Sequence, residues 1–513
     1  MSRFAAFATL IVIGQLISPS AGSAQQNKPE RQSRAESIAT TTPIKYVVVI
    51  FDENNSFDHY FGTYPNALNP PGEPAFHARP NTPTVNGLTE GLIIANPNST
   101  PPFRLGRSQA STCDNDNHYT DEQKAYDGGL IDKVADLLSG TGAGCTKGLA
   151  MGYYDGNTVT ALWNYAQHYA MSDNFFASTF GTTVMGHLNL LSGQTHGATP
   201  VSVPGKVING SVIANVNPTK DDCSTGTVVV MDGVNGTKDI NVGDLLNAKS
   251  VTWGWFYQDW KATGMSGGKA QCSSSYNPHY APFQYWSSTS NPHHLPPSSV
   301  GAIGFTDQAN HNYAISDFWD AVANGNLPAV SFLKAGTTQT GHPADSTPLE
   351  EQTFLVNTIN QLQQSPYWRN MAILITYDDS DGWYDHVLGP IVSPSNDPNN
   401  DALLGAAGLC GTPQMGAYLD RCGYGPRLPF LVVSPFAKEN FVGHTVADQS
   451  SILRFIEDNW QLGRIGDQSF DAIAGPITNL FDFDRHGDGD DDREHHRRTL
   501  ILDPDSGQPV NGW

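Results

Sequence analysis

A run of apolar residues that ends abruptly in polar ones constrains the fold of this chain most strongly. The run Ile44–Phe51 is rich in β-branched and aromatic residues and is too short to span a membrane. Such a run is typical of a strand that is buried on both faces, as in a parallel sheet. In open α/β sheets ligands bind beyond the carboxyl ends of the strands, and Glu53 and Asn54 follow this one closely. Their oxygens are suitable ligands for a divalent cation.

The same polar residues have a second interpretation. A strand that leads into a helix needs a capping residue, and Asn55 or Ser56 could cap a helix that begins near Phe57. On this stretch alone the two interpretations, a ligand site and a helix cap, remain open.

Two further strands are predicted. Met371–Tyr377 is a second apolar run, and it ends in a group of carboxylates that begins with Asp378 and Asp379. Leu428–Val433 is the third. Helical spacing of apolar residues predicts helices at Thr158–Ala170, Val184–Leu191, Glu350–Gln364 and Ser450–Trp460. Strands that alternate with helices predict an α/β fold, with a mainly parallel sheet covered by helices and long loop insertions.

The ends of the chain differ in composition from its centre. Residues 1–24 have the layout of a secretory signal peptide, so we expect an exported protein, periplasmic or secreted, without an integral membrane segment in the mature chain. Residues 25–43 are expected to form a flexible leader and residues 44–480 the catalytic domain. Residues 481–513 are acidic. A solvated, partly disordered tail is preferred there over a calcium loop, because regular ligand spacing is missing.

Charge and cysteine content narrow the function further. The formal net charge of −22 argues against nucleic acid, which requires clustered Lys and Arg, and against anionic membranes. A small anionic substrate stays compatible if a metal ion reverses the sign of the charge locally. An even number of cysteines, six, in an exported chain favours disulfides. Pairing in sequence order is the simplest arrangement, although sequence alone does not establish it.

Three features together predict phosphoryl transfer. The predicted strand ends bring oxygen donors to one edge of the sheet, where a metal would orient a substrate and lower the pKa of a hydroxyl. Thr182 and Thr183 precede the helix at Val184–Leu191, and a helix N-terminus favours an anion. A metal, a hydroxyl nucleophile and an anion site are the parts needed for a phospho-enzyme intermediate.

Several motifs in this order resemble a known family. They are Glu53-Asn54-Asn55-Ser56-Phe57-Asp58-His59-Tyr60-Phe61-Gly62, Met151-Gly152-Tyr153-Tyr154, Phe332-Leu333-Lys334-Ala335, Gly341-His342, Asp378-Asp379-Ser380-Asp381-Gly382-Trp383-Tyr384-Asp385-His386 and the helix at residues 450–457. Together they resemble the phosphoesterase family that joins bacterial phospholipases C to AcpA-type acid phosphatases. The segments Thr183-Val184-Met185-Gly186, Asp378-Asp379-Ser380-Asp381-Gly382, Cys113-Asp114-Asn115-Asp116-Asn117-His118 and Asn291-Pro292-His293-His294 are closer to the acid phosphatase branch.

The resemblance implies an alkaline-phosphatase-like core with one divalent metal. Carried over by position, the metal ligands are Glu53, Asn54, Asp378, Asp379 and Thr183, with Thr183 also the nucleophile. Assigning this role to Thr183 rather than Thr182 depends on the alignment. Oxygen ligands favour calcium, magnesium or manganese, while nearby imidazoles leave zinc or iron open.

The resemblance also singles out histidines of the pocket, which would donate to phosphoryl oxygens and protonate the leaving alcohol: His118, His342, His293 and His294. His59, His386 and His444 are expected to be structural, and Asp385 to brace its loop. The expected function is a metal-dependent acid phosphatase that hydrolyses phosphate monoesters through phospho-Thr183. The alternatives are a phospholipase C acting on phospholipid diesters and a phosphate- or metal-binding protein without turnover. The oligomeric state is left open.

Overall fold

An eight-stranded sheet lies at the centre of the computed structural model, which describes Met1 and residues 34–142, 145–234, 237–484 and 498–510. The strands of this sheet, in chain order, are β1 (Tyr46–Asp52), β2 (Ala170–Ser172), β3 (Trp253–Tyr257), β4 (Asn312–Ala314), β5 (Val330–Lys334), β6 (Met371–Tyr377), β7 (Phe430–Val433) and β8 (Phe441–Gly443). Their spatial order is β4-β3-β5-β1-β6-β7-β2-β8. Within it, β7 alone runs antiparallel to its neighbours, so the sheet is mainly parallel.

Helices and short ladders make up the rest of the regular structure. The helices include α1 (Phe57–Phe61), α2 (Tyr119–Tyr126), α3 (Thr160–His168), α4 (Thr183–Ser192), α5 (Val242–Ala248), α6 (Ile315–Asn324), α7 (Pro348–Gln363) and α8 (Gln449–Trp460). Further short helices lie at Arg34–Ser37, Glu90–Ile94 and Val134–Leu137. Small two-stranded ladders pair Phe103–Arg104 with Gly152–Tyr153, Phe175–Phe176 with Ala447–Asp448, Val207–Ile208 with Ser211–Val212, Asn217–Pro218 with Val228–Val229, and Gly264–Ser266 with Lys269–Gln271.

The predicted α/β class is confirmed. Every residue of β1 and of β6 is buried, which requires cover on both faces of the sheet and explains why these strands lack an alternating pattern. The predicted bounds of β6 agree with the structure, and the four predicted helices correspond to α3, α4, α7 and α8. Ser56 caps α1, since its side chain accepts a hydrogen bond from His59 N. The interpretation of Ser56 as a helix cap is therefore confirmed.

The cysteines pair in sequence order, as predicted. The three disulfides join Cys113 to Cys145, Cys223 to Cys272 and Cys410 to Cys422. The first and the third close loops outside the central sheet, whereas the segment between Cys223 and Cys272 contains β3.

Two expectations about the chain ends require correction. Residues 34–43 are packed rather than flexible, because Ala35 is buried and Thr42 hydrogen bonds to Asn459. Residues 498–510 are packed too: Leu500 and Leu502 are buried, and their backbone amides donate to side chains of α7. The predicted signal peptide after Met1 and the possible calcium loop at residues 488–490 lie outside the described residues. Among the residues that are described, no helix has the length and apolar character needed to cross a membrane.

Candidate active site

The predicted metal ligands meet at the carboxyl ends of β1 and β6. These strands pair in parallel with Asp52 opposite Tyr377, so the residues that follow each strand emerge side by side. The Asn54 backbone N–H donates to Asp378 Oδ1 at 3.0 Å, which ties the two loops together. Glu53, Asn54, Asp378 and Asp379 are each at most 1% exposed. The structure therefore brings all four predicted side chains into one buried cluster.

Within the part of the chain that the structure describes, one oxygen of each of these four side chains has no hydrogen bond, although each is buried. The atoms are Glu53 Oε2, Asn54 Oδ1, Asp378 Oδ2 and Asp379 Oδ2. Buried polar atoms in folded proteins nearly always have a partner, and a site for an ion is one reason for an exception. Four such atoms, one from each predicted ligand, indicate a common missing partner.

The second polar atom of each side chain is fixed by the protein. Asp378 Oδ1 also accepts from Asp379 N at 2.8 Å. Asp379 Oδ1 accepts from Asn117 Nδ2 at 3.0 Å and from Asp381 N at 2.7 Å. Glu53 Oε1 pairs with the Lys334 ammonium group. These contacts fix how each carboxylate is turned, and they leave the other oxygen free.

The electrostatics of the cluster fit a divalent cation. Burial, and next the charge of Asp378, raise the pKa of Glu53 well above its usual range, against the opposing effect of Lys334. Burial and Asp378 likewise raise the pKa of Asp379. A cation among these oxygens would favour the ionised carboxylates and balance the buried charge. Oxygen donors of this kind suit calcium, magnesium or manganese.

A histidine that the sequence reasoning did not weigh lies beside this cluster. His187 groups with Glu53 and Asp378, with one candidate ligand atom from each within 4.8 Å of the others. Its Nδ1 lies 2.8 Å from the Thr183 carbonyl oxygen, to which it donates, and 4.0 Å from Asp378 Oδ2. Since Nδ1 donates to a carbonyl oxygen of its own helix, this atom is not available as a metal ligand.

The helix α4 packs directly on the end of β6, beside Asp378. A Cβ placed on Gly186 would lie 2.1 Å from the Asp378 carbonyl oxygen, so only glycine allows this approach. Thr183 precedes Gly186 by three residues and thus lies on the same face of the helix. The sequence had shown a glycine here without indicating why it is needed.

The two adjacent threonines differ in their surroundings. The Thr182 hydroxyl lies 3.6 Å from Met185 Sδ, and Thr182 is the N-cap residue of α4. Thr183 is the first residue of α4 and is 3% exposed. No hydrogen bond to its hydroxyl occurs among the residues that the structure describes. Asn215 Oδ1 accepts from the Val184 N–H at 3.1 Å, so part of the helix N-terminus is already satisfied.

Lys334, which in the sequence is part of the motif at residues 332–335, pairs with Glu53 in the buried cluster. It ends β5, and its completely buried ammonium group lies 4.5 Å from the centre of the Tyr280 ring. The register pairs Ile50 with Leu333, so Lys334 follows beside Phe51 at the same edge of the sheet. In the sequence, a lysine at the end of an apolar strand is the feature that indicates this residue.

The structure places the four predicted histidines differently from one another. His342 contacts the cluster: its Nε2 is 3.1 Å from Asn54 Nδ2, and its Nδ1 is 2.7 Å from the Pro343 carbonyl oxygen. The His118 side chain is 67% exposed, and its Nδ1 lies 2.6 Å from Asp116 Oδ1, a hydrogen bond that raises the pKa of His118. It lies at the rim of a cavity of about 460 Å³ that Asp114 and Ala344 also line.

The structure does not bring His293 and His294 to the carboxylate cluster. His294 is stacked on Trp260, and its ring nitrogens contact the Trp260 carbonyl oxygen and Asp221 Oδ1, both at 3.0 Å. The exposed His293 pairs with Asp222 at 2.7 Å. Both belong to the region around the disulfide between residues 223 and 272, and their predicted pocket role is corrected accordingly.

His279 directly precedes Tyr280, whose ring lies 4.5 Å from the Lys334 ammonium group. Burial lowers the pKa of His279 to about 4, and the charges of Asp378 and His342 also act on this ring. Its Nδ1 lies 3.3 Å from the Val216 carbonyl oxygen, to which it donates, leaving Nε2 as the acceptor. No predicted strand end marks His279, so the sequence carried no signal for it.

A separate charged network stabilises the loops that follow β1 and β6. The buried guanidinium group of Arg427 pairs with Asp58 at 3.1 Å and with Asp385 at 2.9 Å. His386 contacts Asp58 at 2.6 Å. Asp385 therefore braces its loop, as expected from the sequence.

Comparison with known proteins identifies the family. Residues 44–463 match the sequence pattern of the Phosphoesterase family. The chain belongs to the Phosphoesterase family. It is therefore a hydrolase that acts on phosphoric ester bonds, and the alternative of a binding protein without turnover is wrong.

Curated relatives of this phosphoesterase are phospholipases C. Phospholipase C A of Mycobacterium tuberculosis is 25% identical over 468 residues, covering 86% of this chain and 78% of that protein. The non-hemolytic phospholipase C of Pseudomonas aeruginosa is 25% identical over 451 residues, covering 86% of this chain and 57% of the other. The non-specific phospholipase C6 of Arabidopsis thaliana is 24% identical, covering 78% and 63%. None of these relatives supports the acid phosphatase branch.

Solved structures overlap the phosphoesterase only partly. A protein of the alkaline phosphatase superfamily from Vibrio parahaemolyticus gives a TM-score of 0.29 at 9% identity, covering 60% of this chain and 62% of that one. The murine ectonucleotide pyrophosphatase/phosphodiesterase 5 gives a TM-score of 0.31 at 13% identity, covering 63% and 94%.

Proposed function

We propose that this phosphoesterase is a metal-dependent phosphatase that hydrolyses phosphate monoesters through a phospho-Thr183 intermediate. The observation that carries the proposal is the set of four buried oxygens that have no hydrogen bond among the described residues. The helix α4, which begins at Thr183, packs against Asp378 beside them. Glu53, Asn54, Asp378 and Asp379 would hold one divalent cation, with Thr183 as a further ligand. Such a cation lowers the pKa of a hydroxyl and balances the negative charge of a phosphoryl group.

The residues of the chain divide the reaction between them. The phosphoryl group sits at the N-terminus of α4, where the helix dipole favours an anion. Thr183 Oγ1 passes its proton to His279 Nε2 and attacks phosphorus while the bond from phosphorus to the ester oxygen breaks. The leaving alcohol takes a proton from His279, because a neighbouring phosphoryl anion favours the imidazolium form. Water then cleaves phospho-Thr183, and His279 Nε2 takes the proton of that water.

Lys334 keeps Glu53 ionised and fixed in this scheme. Its ammonium group pairs with Glu53 Oε1, so Oε2 is the Glu53 oxygen that remains for the cation. His118 lies at the rim of the neighbouring cavity, where it can meet the organic part of a substrate. The closer match of the motifs at residues 183–186 and 378–382 to the acid phosphatase branch favours monoesters.

A phospholipase C is the second candidate, favoured by the names of the curated relatives. The two candidates share the site and differ in the product. A phospholipase releases a phosphorylated headgroup from a phospholipid, whereas a phosphatase releases inorganic phosphate.

The experiment compares phosphate release from a chromogenic monoester with headgroup release from a phosphocholine diester, each with and without chelator. Wild type, Thr183→Val and Asp378→Asn are measured beside Thr182→Val, a matched control whose hydroxyl contacts only Met185 Sδ. Monoester turnover that is lost in the first two variants and retained in the control supports the proposal. Turnover of the diester alone selects the phospholipase, and activity of Thr183→Val refutes the mechanism.

A further inference from the structure

The carboxamide of Asn54 differs from the other proposed ligands because only one of its two polar atoms can bind a cation. A carboxylate presents an oxygen whichever way it is turned, whereas a carboxamide turned by 180° presents an NH₂ group. Asn54 Oδ1 is buried and has no hydrogen bond. The direction of this amide therefore decides whether Asn54 is a ligand.

Both hydrogens of Asn54 Nδ2 are taken up by neighbouring acceptors. Nδ2 lies 2.9 Å from Asp381 Oδ1 and 3.1 Å from His342 Nε2. Since His342 Nδ1 lies 2.7 Å from the Pro343 carbonyl oxygen, Nδ1 must carry the ring hydrogen and Nε2 must accept. A reversed amide would place Oδ1 against two acceptors, which is unfavourable.

Asp381 has features that a purely structural role does not require. It is completely buried, and its Oδ2 accepts from the Asn115 N–H at 3.3 Å. Its neighbours include the like-charged Asp114 and Asp379. Within residues 34–142, 145–234, 237–484 and 498–510, it forms no ion pair with Lys or Arg. Burying a carboxylate without a cation is costly, so its retention here calls for a reason beyond packing.

We infer that Asp381 and His342 are positioning residues that lock the Asn54 carboxamide with Oδ1 facing the cation site. This inference rests on the proposed metal site. It gives His342 a role different from the proton donor that the resemblance implied, because both of its ring nitrogens are engaged. Partners of this kind, which orient a ligand, typically change metal affinity about 10- to 100-fold when mutated.

The first test is the affinity for Mn²⁺, measured by calorimetry on protein stripped with chelator. In Asp381→Asn the new side chain must keep its oxygen toward the Asn115 N–H, so its NH₂ group faces Asn54 and favours the reversed amide. We expect about 10- to 100-fold weaker binding. His342→Ala removes one of the two acceptors, leaves a half-buried position that tolerates the change, and should weaken binding by a smaller factor.

The decisive comparison repeats Asp381→Asn in an Asn54→Asp background. A carboxylate at position 54 presents an oxygen in either direction, so Asp381→Asn should then change the affinity less than about threefold. Asp136→Asn is the control: it alters a partly exposed carboxyl group that pairs with Lys147 at 2.9 Å, and it should bind Mn²⁺ like wild type. Melting temperatures of the stripped proteins verify that each variant folds.

The outcomes separate this inference from the proposed function. If wild type binds no Mn²⁺, the proposed metal site fails. If wild type binds while Asp381→Asn and His342→Ala bind equally well, the positioning role is refuted. An equal loss from Asp381→Asn in both backgrounds also refutes it, because the direction of the amide cannot matter at an aspartate.

Discussion

The contact between α4 and the end of β6 gives the sharpest prediction, because two physical effects of Gly186→Ala oppose each other. Gly186 lies inside a helix, where alanine is favoured over glycine by about 1 kcal/mol. A Cβ there would lie 2.1 Å from the Asp378 carbonyl oxygen and 2.8 Å from Asp378 Cα, whereas ordinary contact begins near 3.4 Å. The obstacle is backbone, which cannot swing aside as a flexible side chain can.

The distances set the size of the effect. Restoring ordinary contact requires a displacement of about 1 Å, and overpacking of this kind costs about 1 to 3 kcal/mol. After the helix preference is subtracted, we expect a net loss of up to about 2 kcal/mol of unfolding free energy. The same displacement moves the Thr183 hydroxyl away from the carboxylates, and a misplacement of about 1 Å typically lowers the rate about 100-fold.

The assay combines urea unfolding with kcat/KM on a chromogenic monoester. Gly91→Ala is the matched control: this helical glycine is in open surroundings, with only Thr89 Oγ1 at 3.8 Å from the added Cβ. It should keep full activity and be as stable as wild type or slightly more so. Gly186→Ala behaving like Gly91→Ala would refute the argument that α4 is held against Asp378.

Three further predictions concern stability. Lys334→Met leaves Glu53 buried without its partner, so the free energy of unfolding measured in chelator should fall by about 3 to 5 kcal/mol. In saturating Mn²⁺ it should fall by less, and equal losses in both conditions would contradict a shared cation site. Burial lowers the pKa of His311 to about 4, so the unfolded protein binds a proton at this residue more readily than the folded protein does. The contribution of neutral His311 to the free energy of unfolding is therefore lost as the pH falls from about 6.5 to 4. His311→Gln should therefore reduce the acid destabilisation by up to about 3 kcal/mol in unfolding experiments at pH 7 and pH 4.5, and an unchanged pH dependence would contradict this. Replacing Cys223 and Cys272 with serine opens a loop with a sequence separation of 49 and should cost about 4 kcal/mol, against about 3 kcal/mol for Cys410 and Cys422 with a separation of 12; the reverse order in urea unfolding would refute the loop-entropy account.

The parts of the fold that the sequence predicted well are those with strong local signals. The strand at Met371–Tyr377 is apolar and is followed by a group of carboxylates, so its type and its end were both predictable. Glu53 was found in the same way. Because strand ends in a parallel sheet share one edge, the meeting of these residues could be inferred before any contact was known.

The rest depends on contacts between distant parts of the chain. His279 lies in a loop 96 residues beyond Thr183 in the sequence, and no local pattern connects it to the strand ends. His293 and His294 were selected by motif, but the ion pairs with Asp221 and Asp222 hold them elsewhere. Residues 498–510 looked like a polar tail, yet two buried leucines anchor them to α7.

The most direct test of the central claim, transfer of the phosphoryl group to Thr183, is to trap the covalent intermediate. Wild type would be mixed with a monoester in the presence of Mn²⁺, quenched in acid within the first turnover and digested for mass spectrometry. The account predicts a phosphorylated peptide with the modification on Thr183, absent when chelator is added and absent in Thr183→Val. Steady turnover without any modified peptide, together with an active Thr183→Val, would contradict it.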